Sequence, residues 1–364
     1  MPSLRVLVSG ARTMVQDQGF RNARSLGVPG CGVLDREALQ LVNALVGNPP
    51  TTEALEVALL SPVLRAEGGA VRLALSGTLR GRVQGQDGGS RTVPPWTATS
   101  LAAGETLHLA PPDRGGTGLI AVRGGFDLPM VLGSRSTCQR AGFGGFHGRA
   151  LQVADVLTLA AGEAAPETQD LVLTDAPRRA PGPIRVVPGP QSEWFPAAEF
   201  DRFLGGPYQV SPRCDRMGLR LDGPALSFAP GRGGDIISDG ITPGAVQVPG
   251  NGLPIVLLAD AQTTGGYPKI ATVIGLDLPR LCALGPGDSL RFAAITVAQA
   301  EALARARLNE LLRAVASIGP PPGAATWTEG LSRANLIGGI VDMGRPDHFP
   351  GHLPEDERKD PTCG

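Results

Sequence analysis

The chain has 364 residues, with 42% hydrophobic residues, 18% charged residues and a formal net charge of −1. That is apolar material for about two domains. The charge balance excludes the concentrated basic surface a nucleic-acid binder needs, and no run of 18 apolar residues suggests a membrane-spanning helix.

In chain order, period-2 alternation predicts strands at Leu4–Ser9, Ala70–Gly77 and Gly104–Ala110, continuing through "GLIAVRGG" and "RALQVADVLTLA". Between the first two, "DREALQLVNALVGN" reads as a helix. Asp35 is placed to cap it, Leu39, Val42, Leu45 and Val46 form its apolar stripe, and Gly47 closes it. A Pro-, Ala- and charge-rich stretch, "EAAPETQDLVLTDAPRRAPGPIRVV", marks a domain junction. From its end onward, short strands are expected at "PIRVV", "YQVSP", "GLRLDG", "GAVQVPG", "PIVLLAD", "IATVIG" and "DSLRFAAI", and a helix at "VAQAEALARARLNELLRAVAS". The expected organisation is two β domains, residues 1–180 and 181–318, followed by a largely disordered tail, 319–364. A weak internal echo, "GVPGCGVLDR" against "QVSPRCDRMG", fits either a duplicated β domain or chance likeness between turns.

Five cysteines lack CxxC spacing and the N-terminus lacks a long apolar stretch. Both fit a cytoplasmic protein with reduced thiols. No P-loop, nucleophile elbow or dinucleotide fingerprint is present. His348 and His352 have the i, i+4 spacing of a helical zinc pair, but Pro350 and Gly351 between them break a helix, so no metal site is expected.

Three polar clusters remain. Arg135, Arg140 and Arg149 lie in a glycine-rich stretch, Arg123–Leu151. Arginine forks match carboxylates and phosphates, although the plain reading of such a loop is turns with solvated arginines. Arg216 follows Asp215 directly before a strand, where a backbone-capping turn is the plain reading. The third cluster, "LADAQTTGGYPKIATVIG", joins an apolar strand ending at Asp260 to a second strand through Gln262, Thr263, Thr264, Tyr267 and Lys269. The chain has 33 Lys plus Arg and two tyrosines; only Lys269 and Lys359 are lysine. An edge-strand lysine would be replaceable by Arg in so Arg-rich a chain. A lysine kept here points to a compact cation whose proton can move.

"VQDQGFRNARSLGVPGCGVLDREALQLVNALVGNP", "ALEVALLSP", "LGSRSTCQRAGFGGFHGRAL", "VSPRCDRMGLRLDG" and "VQVPGNGLPIVLLADAQTTGGYPKIATVI" occur in this order. Together they resemble the allophanate hydrolase subunit 2 family, also called KipA-like or biotin-dependent carboxyltransferase-like, which includes the C subunit of bacterial 5-oxoprolinase. The resemblance implies a mainly β fold with two cyclophilin-like barrel domains. It implies a role in ATP-dependent opening of 5-oxo-L-proline to glutamate, with KipI-like and LamB/YcsF-like partner subunits, the chain being inactive alone. It also leaves open carboxyl transfer to urea or another small amide from carboxybiotin supplied in trans, and a non-enzymatic regulator that binds a KipI-like kinase inhibitor. On the matched blocks it places Lys269, Arg216 and Asp260 as catalytic residues. Gln262, Thr263, Thr264, Tyr267, Arg135, Arg140 and Arg149 would then contact substrate.

Overall fold

The computed structural model describes residues 1–112, 116–160 and 169–321. The start of the expected junction, the paired histidines and nearly all of the expected tail fall outside them. Met1–Pro320 form one unit by their contacts. No helix among the described residues is long and apolar enough to cross a membrane.

The fold is mainly β, as expected. The strand Ala54–Ala58 shows how its layers arise. It lies inside a seven-stranded sheet ordered Arg12–Gln16, Ala54–Ala58, Thr117–Val122, Val71–Leu75, Thr97–Leu101, Leu171–Leu173 and Ile318–Gly319. Side chains alternate across the sheet. Leu55 and Val57 face a core shared with Leu4, Val6, Leu64, Leu73 and Leu107, which comes largely from a six-stranded sheet stacked behind. Ala54 faces the other way with Ala74, Ala98 and Ala121. These small residues leave room for helix α1 (Arg36–Val46), whose buried Leu39, Val42, Leu45 and Val46 cover that face.

The capping residues of α1 are those expected. The Asp35 carboxylate accepts the Ala38 N–H at 3.0 Å, and Gly47 turns left-handed at φ 75°. A short helix read from no sequence signal, α2 (Ala197–Gly205), packs Phe203 onto an eight-stranded sheet whose strands all lie between Ile184 and Ala294. Phe203 stacks on Phe292 at 4.5 Å with Tyr208 at their edge. Burial, helped by Glu199, pushes the Tyr208 hydroxyl up to about 12. One of the two tyrosines is thus part of the core.

The one-turn helix α3 (Leu278–Leu281) is tied to this sheet through Asp277. Burial works against that carboxylate, but hydrogen bonds from the Arg185 guanidinium and N–H, with Arg280 nearby, hold its pKa below the ordinary value. A carboxylate with a depressed pKa stabilises the fold above its unfolded value and loses that contribution as pH falls through the folded one. The stability gap between wild type and Asp277→Asn should therefore be constant above about pH 5 and shrink below about pH 4. Urea denaturation at a series of pH values measures it; a gap that widens with acid would contradict the assignment.

The second long helix, α4 (Val297–Ala316), starts with a capping box between Thr296 and Gln299. It packs on α1 through Leu311 and Ala314, and the chain then adds Ile318–Gly319 to the seven-stranded sheet beside Leu171–Leu173. The C-terminal end of the described chain therefore completes the N-terminal layers.

Candidate functional site at the seam between the sheets

The loop from Leu258 to Lys269 is anchored at both ends by ion pairs. At its start, Leu258 and Asp260 donate their N–H groups to the Met217 and Arg216 carbonyls. The Arg216 side chain then turns inward and is 3% exposed. Its Nε and Nη2 donate to the two oxygens of Asp260, both at 2.9 Å. Nη1 donates to Glu56 on the Ala54–Ala58 strand, and Nη2 also donates to the Gly32 carbonyl. Burial disfavours the guanidinium charge, but Glu56 and Asp260 outweigh it and hold the pKa above the usual arginine value. The two echoing sequence stretches meet here, since Arg216 reaches Gly32; beside them the Cys31 N–H donates to the Ala259 carbonyl at 2.9 Å.

This geometry revises the part expected of Arg216. Four of its five donor positions are taken by protein oxygens and the group is sealed from solvent. In this arrangement it fixes the loop through Asp260 and clamps the two halves together. Asp260, with both oxygens on Arg216, shares that structural task. Asp215 behaves as the plain reading held: its carboxylate accepts the Met217 and Gly218 N–H groups.

At the far end, Lys269 starts an interior strand, Lys269–Val273, so it does not guard a sheet edge. It faces Gln247 beside a register shift at Val246–Gln247, and such irregularities re-aim side chains. Its side chain is 4% exposed, with Nζ 2.8 Å from Asp239, which is 51% exposed. Gln191 completes the group, accepting the Lys269 N–H at 3.2 Å and donating to Asp239 at 3.3 Å. The Lys269 contact, then the Gly240 N–H and Gln191, depress the Asp239 pKa. Asp239 belongs to the two-residue strand Asp239–Gly240, which pairs with Thr264–Gly265 and lies over the loop.

Between these anchors, the side chains of Gln262, Thr263, Thr264 and Tyr267 make no hydrogen bond among the described residues, and Thr264 and Tyr267 are exposed. The loop therefore offers amide and hydroxyl groups to a ligand beside a buried ammonium. A cleft of about 290 Å³ opens next to its start, with Cys31, Val33, Leu258, Ala259 and Cys282 in its walls.

The three other arginines are not gathered around one anion. Arg149 is bidentate to Asp155 at 2.7 and 2.9 Å. Arg135 donates to the Leu128 carbonyl and lies 3.6 Å from Glu53 in a different cleft, beside Asp17. Arg140, exposed, reaches the Met217 sulfur at 3.1 Å and is the one of the three next to the loop. Three participants are not anticipated by the sequence reading. Glu56 carries a signal, a lone charge in an otherwise apolar buried strand. Asp239 and Gln191 carry none, because distant segments bring them to Lys269.

Residues 26–294 match the family described as "Carboxyltransferase domain, subdomain A and B". The chain is 37% identical to an Escherichia coli (strain K12) protein named as the C subunit of 5-oxoprolinase, over 302 residues, covering 82% of this chain and 93% of that one. The crystal structure of TTHA0988 superposes with a TM-score of 0.70 at 33% identity, over 80% of this chain and 56% of its own. The urea carboxylase of Kluyveromyces lactis superposes with a TM-score of 0.77 at 26% identity, over 86% of this chain and 29% of that enzyme.

Proposed function

The chain belongs to the carboxyltransferase-domain family, subdomains A and B, and from that premise we propose that it is the C subunit of an ATP-dependent 5-oxoprolinase. One observation carries this reading: the similarity extends over 93% of a protein that bears that subunit's name. Its partners would be a KipI-like protein and a LamB/YcsF-like protein, and the chain would be inactive alone.

The chemistry fits the loop. A lactam is a resonance-stabilised amide. Transfer of a phosphoryl group from ATP to its oxygen makes the ring carbon electrophilic. Water then adds there, the C–N bond breaks to leave an acyl phosphate with the amine free, and a second water hydrolyses that acyl phosphate to phosphate and glutamate. The phosphoryl oxygens carry negative charge in every one of these steps, and a buried cation stabilises it strongly. Lys269 would supply that charge when Asp239, on the two-residue strand above it, yields to the anion. Gln262, Thr263, Thr264 and Tyr267 would supply hydrogen bonds to the reacting amide group. Arg140 would meet anionic groups at the rim. The nucleotide site need not lie in this chain.

A second reading rests on the superposition with urea carboxylase: carboxyl transfer to urea or another small amide, with carboxybiotin supplied in trans. The two separate cleanly in vitro. The three reconstituted proteins should release glutamate from 5-oxo-L-proline only with ATP and only when this chain is present. Release that is independent of this chain would reject the first reading. Carboxylation of urea that requires a biotinylated carrier would establish the second.

A further inference from the structure

We propose that the seam cleft is a carboxylate-binding site, with Arg36 at its mouth as the anchor and Thr242 as a second donor, taking a small ring or alkyl monocarboxylate. Val33, Leu258, Leu278 and Pro279 give it apolar walls, and its volume of about 290 Å³ exceeds that of a five-membered ring acid. Arg36 is exposed and makes no hydrogen bond or ion pair among the described residues, and the Thr242 hydroxyl makes no hydrogen bond among them either. A free guanidinium fork beside an apolar pocket is the arrangement that holds a carboxylate through two parallel hydrogen bonds.

The neighbouring charges support an anion. Glu37 also lines the cleft, but its carboxylate is held by Arg307 at 2.8 Å and faces Arg179 at 3.7 Å. Asp35 is held by Arg179 at 2.6 Å and by the Ala38 N–H. Arg36 thus keeps its charge uncompensated. Crowding by protein, then the charge of Arg21, hold its pKa below the usual arginine value, a strain that a bound anion would relieve. Fold stability gives no reason for the residue. A cation at the first position of α1 opposes the helix dipole, and Arg36 pairs with nothing there. The floor of the cleft reaches Cys31 and Cys282, whose thiols burial first, and then Asp260 and Glu56 respectively, push up. The cleft therefore abuts the Arg216 clamp.

That the natural acid is 5-oxo-L-proline rests on the proposed function; the carboxylate site does not. Isothermal titration of the full chain with three probes tests both. They are 5-oxo-L-proline, cyclopentanecarboxylate (acid without lactam) and 2-pyrrolidinone (lactam without acid). Both acids should bind, with 2-pyrrolidinone at least tenfold weaker. Arg36→Gln should weaken both acids at least tenfold while leaving thermal unfolding unchanged, and Arg36→Lys should restore part of the affinity. Leu278→Trp, which fills the cleft, should abolish binding of all three. Equal binding of 2-pyrrolidinone and the acids, or acid binding unchanged in Arg36→Gln, overturns the proposal. If Arg36→Gln weakens both acids in titration but leaves KM for 5-oxo-L-proline in the reconstituted complex unchanged, the site and the function stand and 5-oxo-L-proline as the natural acid of this cleft fails. If both acids bind through Arg36 but no complex opens the lactam, the site stands and the function fails.

Discussion

Replacing Arg216 by Gln is expected to destabilise the chain by about 3–5 kcal/mol, the usual cost of leaving one member of a buried ion pair unpaired. Arg216 and Glu56 are 3% and 2% exposed, so neither solvent nor salt can take the place of the lost partner. Urea denaturation of the isolated chain gives the number. The triple variant Arg216→Met with Glu56→Gln and Asp260→Asn should recover most of the loss, to within about 1 kcal/mol, because it removes both stranded carboxylates along with the guanidinium. The cost of Arg216→Gln should hardly change in added salt, since buried pairs are little screened. A loss under about 1 kcal/mol would mean that the clamp does not hold the halves together. A variant that folds normally yet loses all activity would return Arg216 to direct contact with substrate.

Lys269→Ala should lower kcat of the reconstituted complex by about 10²–10³-fold, the effect of removing one preorganised charge-stabilising donor. Lys269→Arg should restore little of it. A planar fork does not fit where a compact ammonium sits 2.8 Å from Asp239 with the side chain 4% exposed. Asp239→Asn should keep most of the activity if the carboxylate only covers the ammonium between turnovers. A fall in kcat with KM unchanged supports transition-state stabilisation. Full activity in both Lys269 variants would remove the lysine from the chemistry.

How far the sequence can be read depends on whether a residue's partner is local. Helix α1 is legible to its caps because Asp35, Ala38 and Gly47 interact within a few positions. The strands around Lys269 are legible because alternation and an apolar run are local signals. Arg216 stands out in the sequence, but its work does not, because Glu56 lies 160 positions away. Arg149 reads as free for an anion, yet Asp155, six positions on, folds back onto it. Helix α2 goes unread because it is short and buries a single side chain, Phe203. The hairpin Gly81–Gln84 with Ser90–Val93 carries a signal that the alternation reading passes over. Asp87 and Gly88 lie between its strands, and the Asp87 carboxylate accepts the Gly89 N–H, which is standard turn chemistry.

The pairing of Ile318–Gly319 with Leu171–Leu173 bears on how the chain comes off the ribosome. The N-terminal sheet lacks its outermost strand, and α1 lacks the cover of Leu311 and Ala314, until nearly the whole described chain has been made. Through that interval a strand edge and an apolar helix face stay open, features that invite aggregation. The nascent chain therefore carries these open features for longer than a pair of independently closing domains would.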